Sequence, residues 1–310
     1  METTVAITER RPVSSAVERQ PAPAEGSIRF IGNATTLLRF GGLTVLTDPN
    51  FTPAGQKVPI GYGLHARRRI GPAITFDELP PIDLVVLSHL HGDHFDPGVA
   101  SSLDRITPIV TTPQAARGLE RLGFAVTTPL DPWEHTDRRG IEGRLRVTAT
   151  PGRHGPGPID ALLPDVMGSV IEFWAQDQRA SNPTARIYIS GDTLMYAGLR
   201  EIGVRFPQLD VALLHLGGTK VMGLTVTMDE EHGVDLLRAI APRLTIPIHV
   251  DDYDRFTTTV PAFLKAVERA RIPRRIRVLE RGEVYRFDAG EPDATNVASR
   301  KPIGPLSPER

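Results

Sequence analysis

The sequence predicts a layered α/β fold, and two observations point to it. Short runs rich in β-branched residues open the central part of the chain, and similar runs then alternate with helical patterns. This order is typical of β-sheets that are covered by helices. The chain has 310 residues, 40% of them apolar, and a formal net charge of −1. Such a composition indicates a folded domain, and the neutral balance gives no argument for nucleic acid or an anionic membrane as a partner.

One domain is expected between two flexible ends. Residues 1–25 are rich in Pro, Ala, Glu and Ser and predict a flexible leader, and residues 289–310 predict a flexible tail. No composition shift divides residues 26–288. The leader lacks the apolar region of a secretory signal, and no apolar run approaches the ~20 residues of a membrane span. We therefore expect a cytoplasmic protein without a membrane span.

Most of the strands can be assigned from β-branched runs. "SIRFIG" (27–32) and "ATTLLRF" (34–40) precede Gly41-Gly42, and "LTVLTD" (43–48) follows it, which is a hairpin signal. Further strands are expected at residues 83–88, 107–112, 144–150, 169–174, 185–190, 210–216, 244–249 and 275–280.

Helical patterns are fewer, and three are clear. Residues 113–123 begin with proline and end with glycine, which suits the two ends of a helix. Residues 228–240 place acidic side chains in the first turn, where they stabilise the helix dipole. Residues 257–272 carry apolar side chains at helical spacing.

The segment "SHLHGDHFD" predicts a metal site. His89 and His91 are two residues apart, so in an extended segment both side chains point to the same side and can bind one ion. Gly92 permits a tight turn, after which Asp93 and His94 can face a second ion. Imidazole and carboxylate groups are the ligands that divalent transition metals accept. The chain has no cysteine, so no thiolate can replace them.

Three residues that follow other expected strands can complete the site. His154 lies in "TPGRHGPG", Asp192 in "ISGDT" and His249 in "LTIPIHVDD". Loops at strand ends gather functional groups in layered α/β folds. Taken singly, each of the three also fits an ordinary loop or turn, so the hypothesis depends on their joint occurrence with the first segment.

These residues, taken in order, resemble a known family. His89-x-His91-x-Asp93-His94, then His154, Asp192 and His249, is similar to the metal motif of the metallo-β-lactamase superfamily. The resemblance covers residues 26 to 288. Four segments also look like the branch that contains ascorbate-6-phosphate lactonase and N-acyl-phosphatidylethanolamine phospholipase D: "IGNATTLLRFGGLTVLTDPNF" (31–51), "LPPIDLVVLSHLHGDHFD" (79–96), "ISGDTLMY" (189–196) and "DVALLHLGGT" (210–219).

The resemblance implies a four-layer αβ/βα sandwich with a dinuclear metal site at one edge. The first ion would be held by His89, His91 and His154, the second by Asp93, His94 and His249, and both by Asp192. A hydroxide between the ions would be the nucleophile, so Asp93 and His94 are assigned as catalytic through the second ion. The cofactor expected is two divalent ions per chain, Zn²⁺ first, with Mn²⁺ and Fe²⁺ as alternatives.

Several residues near the motif have candidate roles in addition to an ordinary structural role. Asp48 in "LTDPN" can hydrogen-bond a metal-bound histidine or form the turn before Pro49. Tyr196 and Tyr253 follow Asp192 and His249 by four residues and can donate to an oxyanion, with packing as the alternative.

The basic segment "HARRR" is a candidate for substrate binding. Arg67, Arg68 and Arg69 can hold a phosphate or carboxylate, and a solvated basic loop is the alternative. They would suit a small anionic substrate.

Three further residues are interpreted by comparison with the branch or from their place in the sequence. His215 stands where a proline often stands, and we expect a core histidine, with a catalytic acid as the alternative. His232 lies in an expected helix and is interpreted as structural. Thr227 takes the place of a histidine that some relatives carry, so their substrate roles are not transferred to this chain.

The function expected is that of a metal-dependent hydrolase acting on an ester-type bond, in a lactone or other cyclic ester or in a phosphodiester. One alternative is an iron-dependent oxidoreductase or dioxygenase on the same fold, and another is a binding module without catalysis. His91 argues against a redox di-iron site, which normally has glutamate there. All seven ligand positions are occupied, which argues against the binding module. A small-molecule substrate is expected, with no nucleic acid partner, because the chain is not basic.

Overall fold

The computed structural model describes residues 25–288, with gaps at 62, 141, 176–181, 222 and 274. The expected tail, and the expected leader up to residue 24, lie outside the described residues. None of the helices in the described part is both long enough and apolar enough to cross a membrane.

Two seven-stranded sheets form the centre of the fold. Across the first sheet the strands, numbered in chain order, are β18 (Val284–Asp288), β1 (Glu25–Gly32), β2 (Thr35–Phe40), β3 (Leu43–Thr47), β6 (Leu84–Val86), β7 (Ile109–Thr111) and β8 (Thr127–Pro129). Across the second they are β17 (Arg275–Ile276), β16 (Leu244–Ile248), β13 (Val211–His215), β12 (Ala185–Ile189), β11 (Met167–Ala175), β10 (Gly143–Pro151) and β9 (His135–Gly140). Two small hairpins consist of β4 (Lys57–Pro59) with β5 (His65–Arg67) and of β14 (Lys220–Val221) with β15 (Leu224–Thr225).

Four of the helices in the described residues begin at side chains that accept hydrogen bonds from the first turn. The helices are α1 (Pro97–Ser102), α2 (Pro113–Arg121), α3 (Arg200–Arg205), α4 (Glu230–Ile240) and α5 (Val260–Arg269). Asp96, Thr112, Asp229 and Thr259 each cap one of them by accepting from a backbone N–H of the first turn. The three helices expected from the sequence are present, and α1 and α3 are additional.

Three apolar cores separate four layers. The central core joins the inner faces of the two sheets and includes Leu38 and Val45 of the first sheet and Ile171 and Ile187 of the second. A second core packs the outer face of the second sheet against α3, α4 and α5, and a third packs the outer face of the first sheet against α1 and α2. The layers are therefore helix, sheet, sheet, helix, which confirms the sandwich expected from the sequence.

Strand direction places the functional loops at one edge. β3, β6, β7 and β8 are parallel, and so are β12, β13, β16 and β17. β10 runs in the direction of β12, since β11 is antiparallel to both. The carboxyl ends of parallel strands meet at the same edge, where open α/β sheets bind ligands.

The last expected strand, 275–280, is much shorter than its sequence pattern suggested. β17 ends at Ile276, because the chain then leaves the second sheet for the first. Gly282 donates to the carbonyl of Phe30, and Phe30 donates to the carbonyl of Glu283, before β18 pairs with β1. The chain thereby closes the edge of the first sheet.

Asp229→Ala tests the cap of α4, and its effect should depend on pH. The His232 side chain holds the pKa of Asp229 down at about 2, and Asp229 in turn raises the pKa of His232. A lowered carboxyl pKa stabilises the fold above its unfolded value near ~4, and a raised histidine pKa does so below ~6.5. Between those limits we expect the substitution to lower the free energy of unfolding by about 1 kcal/mol. The difference should shrink as pH falls towards 2.

Urea unfolding between pH 2 and 8 measures this effect. The matched control is Asp235→Ala on the same helix, since Asp235 and its partner Arg238 are both more than half exposed. An Asp229→Ala effect that is the same at every pH would contradict the assignment.

Candidate metal centre

The first cluster of histidines lies at the ends of β6 and β10. His89, His91 and His154 each offer a nitrogen within 4.8 Å of the others. The Nε2 atom of His89 is 3.0 Å from Nδ1 of His91. His154 contacts the carbonyl of Val226 through Nδ1, at 3.0 Å, which leaves its Nε2 free. This arrangement can offer three imidazole nitrogens to one ion.

The second cluster follows β6, β12 and β16. His94, Asp192 and His249 lie within the same 4.8 Å limit, together with His215. Asp93 is beside them: its Oδ2 is 3.6 Å from Nε2 of His249 and 3.9 Å from Nε2 of His94. The structure therefore brings all seven residues of the motif to one edge of the sheets, in two adjoining clusters.

Asp192 belongs to the second cluster, and its charge extends to the first. Its Oδ2 is 3.4 Å from Nε2 of His94, in the second cluster. Its charge also acts on His89 and His154, in the first cluster. The role of Asp192 as a shared ligand stays a prediction.

The pKa shifts differ between the two clusters. Burial and the neighbouring imidazoles lower the pKa of His89 well below its usual value, and burial lowers that of His91 to about 4. Burial likewise lowers the pKa of His154. The first cluster is therefore neutral at pH 7, which is the form that binds metal.

Carboxylates dominate the second cluster. Burial alone would lower the pKa of His94, but Asp192, Asp93 and Asp48 raise it well above its usual value. Burial would raise the pKa of Asp93, but His94 and His249 hold it at about 2. Negative charge is thus concentrated in a buried place, where a cation stabilises it strongly.

Unpaired atoms indicate that a divalent cation fits. Within the two clusters, six buried atoms of the described residues have no hydrogen-bond partner: Nε2 of His91, His94, His215 and His249, Nδ1 of His249 and Oδ1 of Asp93. Buried polar atoms without partners are rare because they are costly, and in this place all of them are metal-ligating types.

Asp48 orients His94. Its carboxylate accepts from the backbone and hydroxyl of Ser88, at 2.7 and 2.9 Å, and lies 3.1 Å from Nδ1 of His94. The Nε2 atom of His94 is thereby directed to the second cluster. The sequence analysis proposed such a contact for Asp48, and its role beside a metal ligand stays a prediction.

Left-handed backbone occurs at two of these positions. Asp48 has φ +37° and His249 has φ +55°, although neither residue is glycine. Such conformations cost of order 1–3 kcal/mol each and persist where surrounding contacts hold them. His249 is held by its backbone N–H, which donates to the carbonyl of Asn33 at 2.8 Å.

Two asparagines that the sequence analysis did not identify hydrogen-bond to the loop of residues 89–94, which is called the metal loop below. The side chain of Asn33 donates to the carbonyl of Asp93 at 2.6 Å, and that of Asn50 donates to the carbonyl of Gly92 at 2.8 Å. A side chain at Gly92 would lie 2.5 Å from the carbonyl of Pro59, so the loop also needs glycine there. No local signal marks the asparagines, because their partners are about 40 and 60 residues away.

The expectation of a solvated basic loop is wrong for Arg68. Its side chain is fully buried, donates to the carbonyls of Asn50 and Ile70, and lies 3.8 Å from Asp252. The cause is strand alternation in and after β5, which turns Arg68 inwards. Arg67 and Arg69 are exposed, as expected. Arg68 therefore cannot reach a substrate in solvent.

The two candidate tyrosines, Tyr196 and Tyr253, differ in solvent exposure. Tyr253 is fully buried, and its hydroxyl donates to Oδ1 of Asn50 at 3.1 Å, so an oxyanion role is not supported. Its place in the sequence suggested that role, but pairing with Arg68 turns it into the interior. Tyr196 is half-buried, and the guanidinium of Arg153 lies 4.4 Å from its ring centre. Tyr196 stays a candidate donor.

Two histidines outside the seven-residue motif, His215 and His232, lie in different parts of the structure. His215 is fully buried and belongs to the second cluster, so the interpretation as a plain core residue misses its neighbours. It ends β13, and this position at a strand end was the available signal. His232 lies on α4, where it pairs with Asp229 at 3.0 Å, away from both clusters. Thr227 donates to Oδ2 of Asp192 at 3.1 Å.

Comparisons with known proteins identify relatives of the chain. The model of the β-lactamase superfamily domain matches residues 44–250. A UPF0173 metal-dependent hydrolase of Deinococcus radiodurans is 30% identical over 265 residues, which is 83% of this chain and 97% of that protein. Another, of Archaeoglobus fulgidus, is 26% identical over 84% of this chain and 99% of the relative.

Solved structures share the fold. The isothiocyanate hydrolase from Delia radicum gut bacteria matches with a TM-score of 0.70 and 23% identity, over 85% of this chain and 100% of that chain. At this identity the likeness concerns the arrangement of the chain, not its substrate.

Proposed function

Since the chain belongs to the β-lactamase superfamily and is a metal-dependent hydrolase, we propose that it hydrolyses an ester-type bond with two divalent ions. The proposed bond is that of a lactone or other cyclic ester, or of a phosphodiester. The observation that carries the proposal is the convergence of seven metal-ligating side chains in two adjoining clusters. The sequence resemblance to the branch of lactonases and phospholipases supports the ester-type bond.

Each cluster would hold one ion. His89, His91 and His154 would hold the first through neutral imidazoles. Asp93, His94 and His249 would hold the second, and Asp192 would serve both. When bound, such ions lower the pKa of water and polarise a carbonyl or phosphoryl oxygen. We propose Zn²⁺, which prefers nitrogen and carboxylate ligands of this kind, with Mn²⁺ and Fe²⁺ as alternatives.

The chain's own residues fix these ligands in place. Asp48 holds Nδ1 of His94, so that only Nε2 is free to bind. The carbonyl of Val226 does the same for His154. Burial keeps water from competing for the ligand atoms and strengthens their interaction with a cation.

Substrate contacts are proposed at two exposed residues and one half-buried residue. Arg67 and Arg69 are candidates for an anionic group on a small-molecule substrate, and Tyr196 is a candidate donor to the reacting oxygen. Arg68 and Tyr253 are not proposed as substrate contacts, since their polar groups form hydrogen bonds with Asn50 in the interior.

Three substrate classes test the type of bond. Protein reconstituted with Zn²⁺ is assayed on a series of lactones, on bis-p-nitrophenyl phosphate and on allyl isothiocyanate, with Asp93→Ala as the background. Hydrolysis of the lactones or the phosphodiester above this background is the expected result. Hydrolysis of the isothiocyanate alone, or no substrate above background, would falsify the ester-type proposal.

A further inference from the structure

His215 lies where it can act on the metal centre through Asp192. It is the last residue of β13, and its backbone N–H donates to the hydroxyl of Ser190, beside the loop that carries Asp192. The side chain is fully buried. Its Nδ1 atom is 3.1 Å from Oδ1 of Asp192, which is a hydrogen-bond distance to a carboxylate.

Both oxygens of Asp192 have a donor from elsewhere in the fold. His215 contacts Oδ1 from the end of β13, and the hydroxyl of Thr227 donates to Oδ2 at 3.1 Å. A carboxylate held at both oxygens cannot rotate freely. Its orientation towards His94, 3.4 Å from Oδ2, is therefore fixed.

The opposite edge of the His215 ring faces Asp48. Its Nε2 atom is 3.9 Å from Oδ2 of Asp48, the same oxygen that contacts Nδ1 of His94. The ring also stacks on His94 and His249, with centroids 5.7 and 5.2 Å apart. His215 thus contacts His94, His249 and Asp48 in addition to Asp192.

Distances favour a supporting role over direct metal binding. The Nε2 atoms of His94 and His249 both approach Oδ2 of Asp93, at 3.9 and 3.6 Å. No nitrogen of His215 approaches Asp93 within 4.0 Å. Its Nδ1 instead lies 3.1 Å from Oδ1 of Asp192. The three proposed ligands of the second ion therefore approach one another at Oδ2 of Asp93, an atom that His215 does not reach within 4.0 Å, although His215 lies within 4.8 Å of His94, Asp192 and His249.

From this geometry we propose that His215 is a positioning residue of the metal centre. Its Nδ1–H donates to Asp192 and holds the carboxylate in the orientation that both ions need. The proposal rests on the dinuclear site proposed above and adds to it a residue outside the seven-residue motif. Outer hydrogen bonds of this kind typically change metal affinity about 10- to 100-fold.

Matched substitutions separate the hydrogen bond from the volume of the side chain. In His215→Asn the amide nitrogen stands near the position of Nδ1 and can donate to Asp192. In His215→Gln the amide reaches towards the position of Nε2, and His215→Leu has no donor. Thr245→Val on the neighbouring strand β16 is the control for a conservative change of a buried polar side chain.

Co²⁺ titration of the metal-free protein, followed by visible absorption and by competition with a chelator, reads the centre without an activity assay. We expect His215→Leu and His215→Gln to weaken binding of one ion about 10- to 100-fold and to alter its spectrum. His215→Asn and Thr245→Val should stay within about threefold of the unsubstituted protein. Far-UV circular dichroism verifies that each variant folds.

The outcomes distinguish the two proposals. If the unsubstituted protein binds no Co²⁺, the dinuclear site itself is wrong. If it binds Co²⁺ and all His215 variants bind equally well, His215 does not position Asp192. Equal losses in the Asn, Gln and Leu variants would also contradict the proposal, since Asn retains the donor. If the Leu variant does not fold, the comparison of Asn with Gln still decides.

Discussion

Asp192→Ala is expected to lower the hydrolysis rate by well over 100-fold, more than the ~10- to 100-fold typical of an outer-shell loss. Asp192 is the carboxylate proposed to serve both ions, and it is buried with His94, His215 and His249 around it. Removing it takes a ligand from both proposed ions and leaves imidazoles facing each other without a counter-charge. The measurement is kcat/KM on the substrate found active, together with the metal content of the same sample.

The control for this substitution is Glu201→Ala. Glu201 pairs with Arg205 on the surface of α3, and both side chains are nearly half exposed. We expect its activity and metal content to equal those of the unsubstituted protein. An Asp192→Ala variant that retains both ions and more than a tenth of the activity would contradict the shared role of Asp192.

Asp252→Ala is expected to lower the free energy of unfolding by about 3–5 kcal/mol, the usual cost of breaking a buried ion pair. Asp252 is fully buried between Arg68, at 3.8 Å, and Arg281, at 2.8 Å. Burial lowers the pKa of Arg68 and raises that of Asp252, and the opposite charge of the partner acts against each shift. Without Asp252 the guanidinium of Arg68 stays buried with no carboxylate in contact.

The effect should extend to the metal loop. Arg68 donates to Asn50, and Asn50 donates to the carbonyl of Gly92. Loss of Asp252 should therefore also weaken metal binding. Urea unfolding at pH 7 measures the stability, with Glu231→Ala as the control. Glu231 pairs with Arg269 at the surface, with both side chains two-thirds exposed, so its effect should be within about 1 kcal/mol. Equal effects of the two substitutions would contradict the role of the buried network.

The metal loop could be predicted from the sequence because its geometry is local. Alternation brings His89 and His91 to one side, and the turn at Gly92 redirects Asp93 and His94. The downstream residues were recognised because each follows a buried strand, and parallel strands bring their carboxyl ends to the same edge. The strand and helix patterns predicted a layered α/β fold, and the resemblance to the metallo-β-lactamase superfamily implied its four layers.

Long-range contacts set the parts that the sequence did not reveal. Arg68 lies in a segment with the composition of a basic loop, and Tyr253 follows a proposed ligand by four residues. A β-bridge between their backbones nevertheless accompanies the inward direction of both side chains. His215 has the surroundings of a core strand, and only the packing of β13 beside β12 and β16 brings it to Asp192. The helices α1 and α3 have six residues each, too few for a helical period to appear.

The central claim is that two adjoining clusters each hold one ion, and metal analysis tests it most directly. The protein is purified without added metal, and bound metals are quantified by mass spectrometry, before and after reconstitution with Zn²⁺. The expected result is about two ions per chain, as a dinuclear hydrolytic site needs. In His91→Ala the value should fall to about one, because this substitution removes a proposed ligand of the first ion only. No bound metal, and none taken up on reconstitution, would contradict the claim.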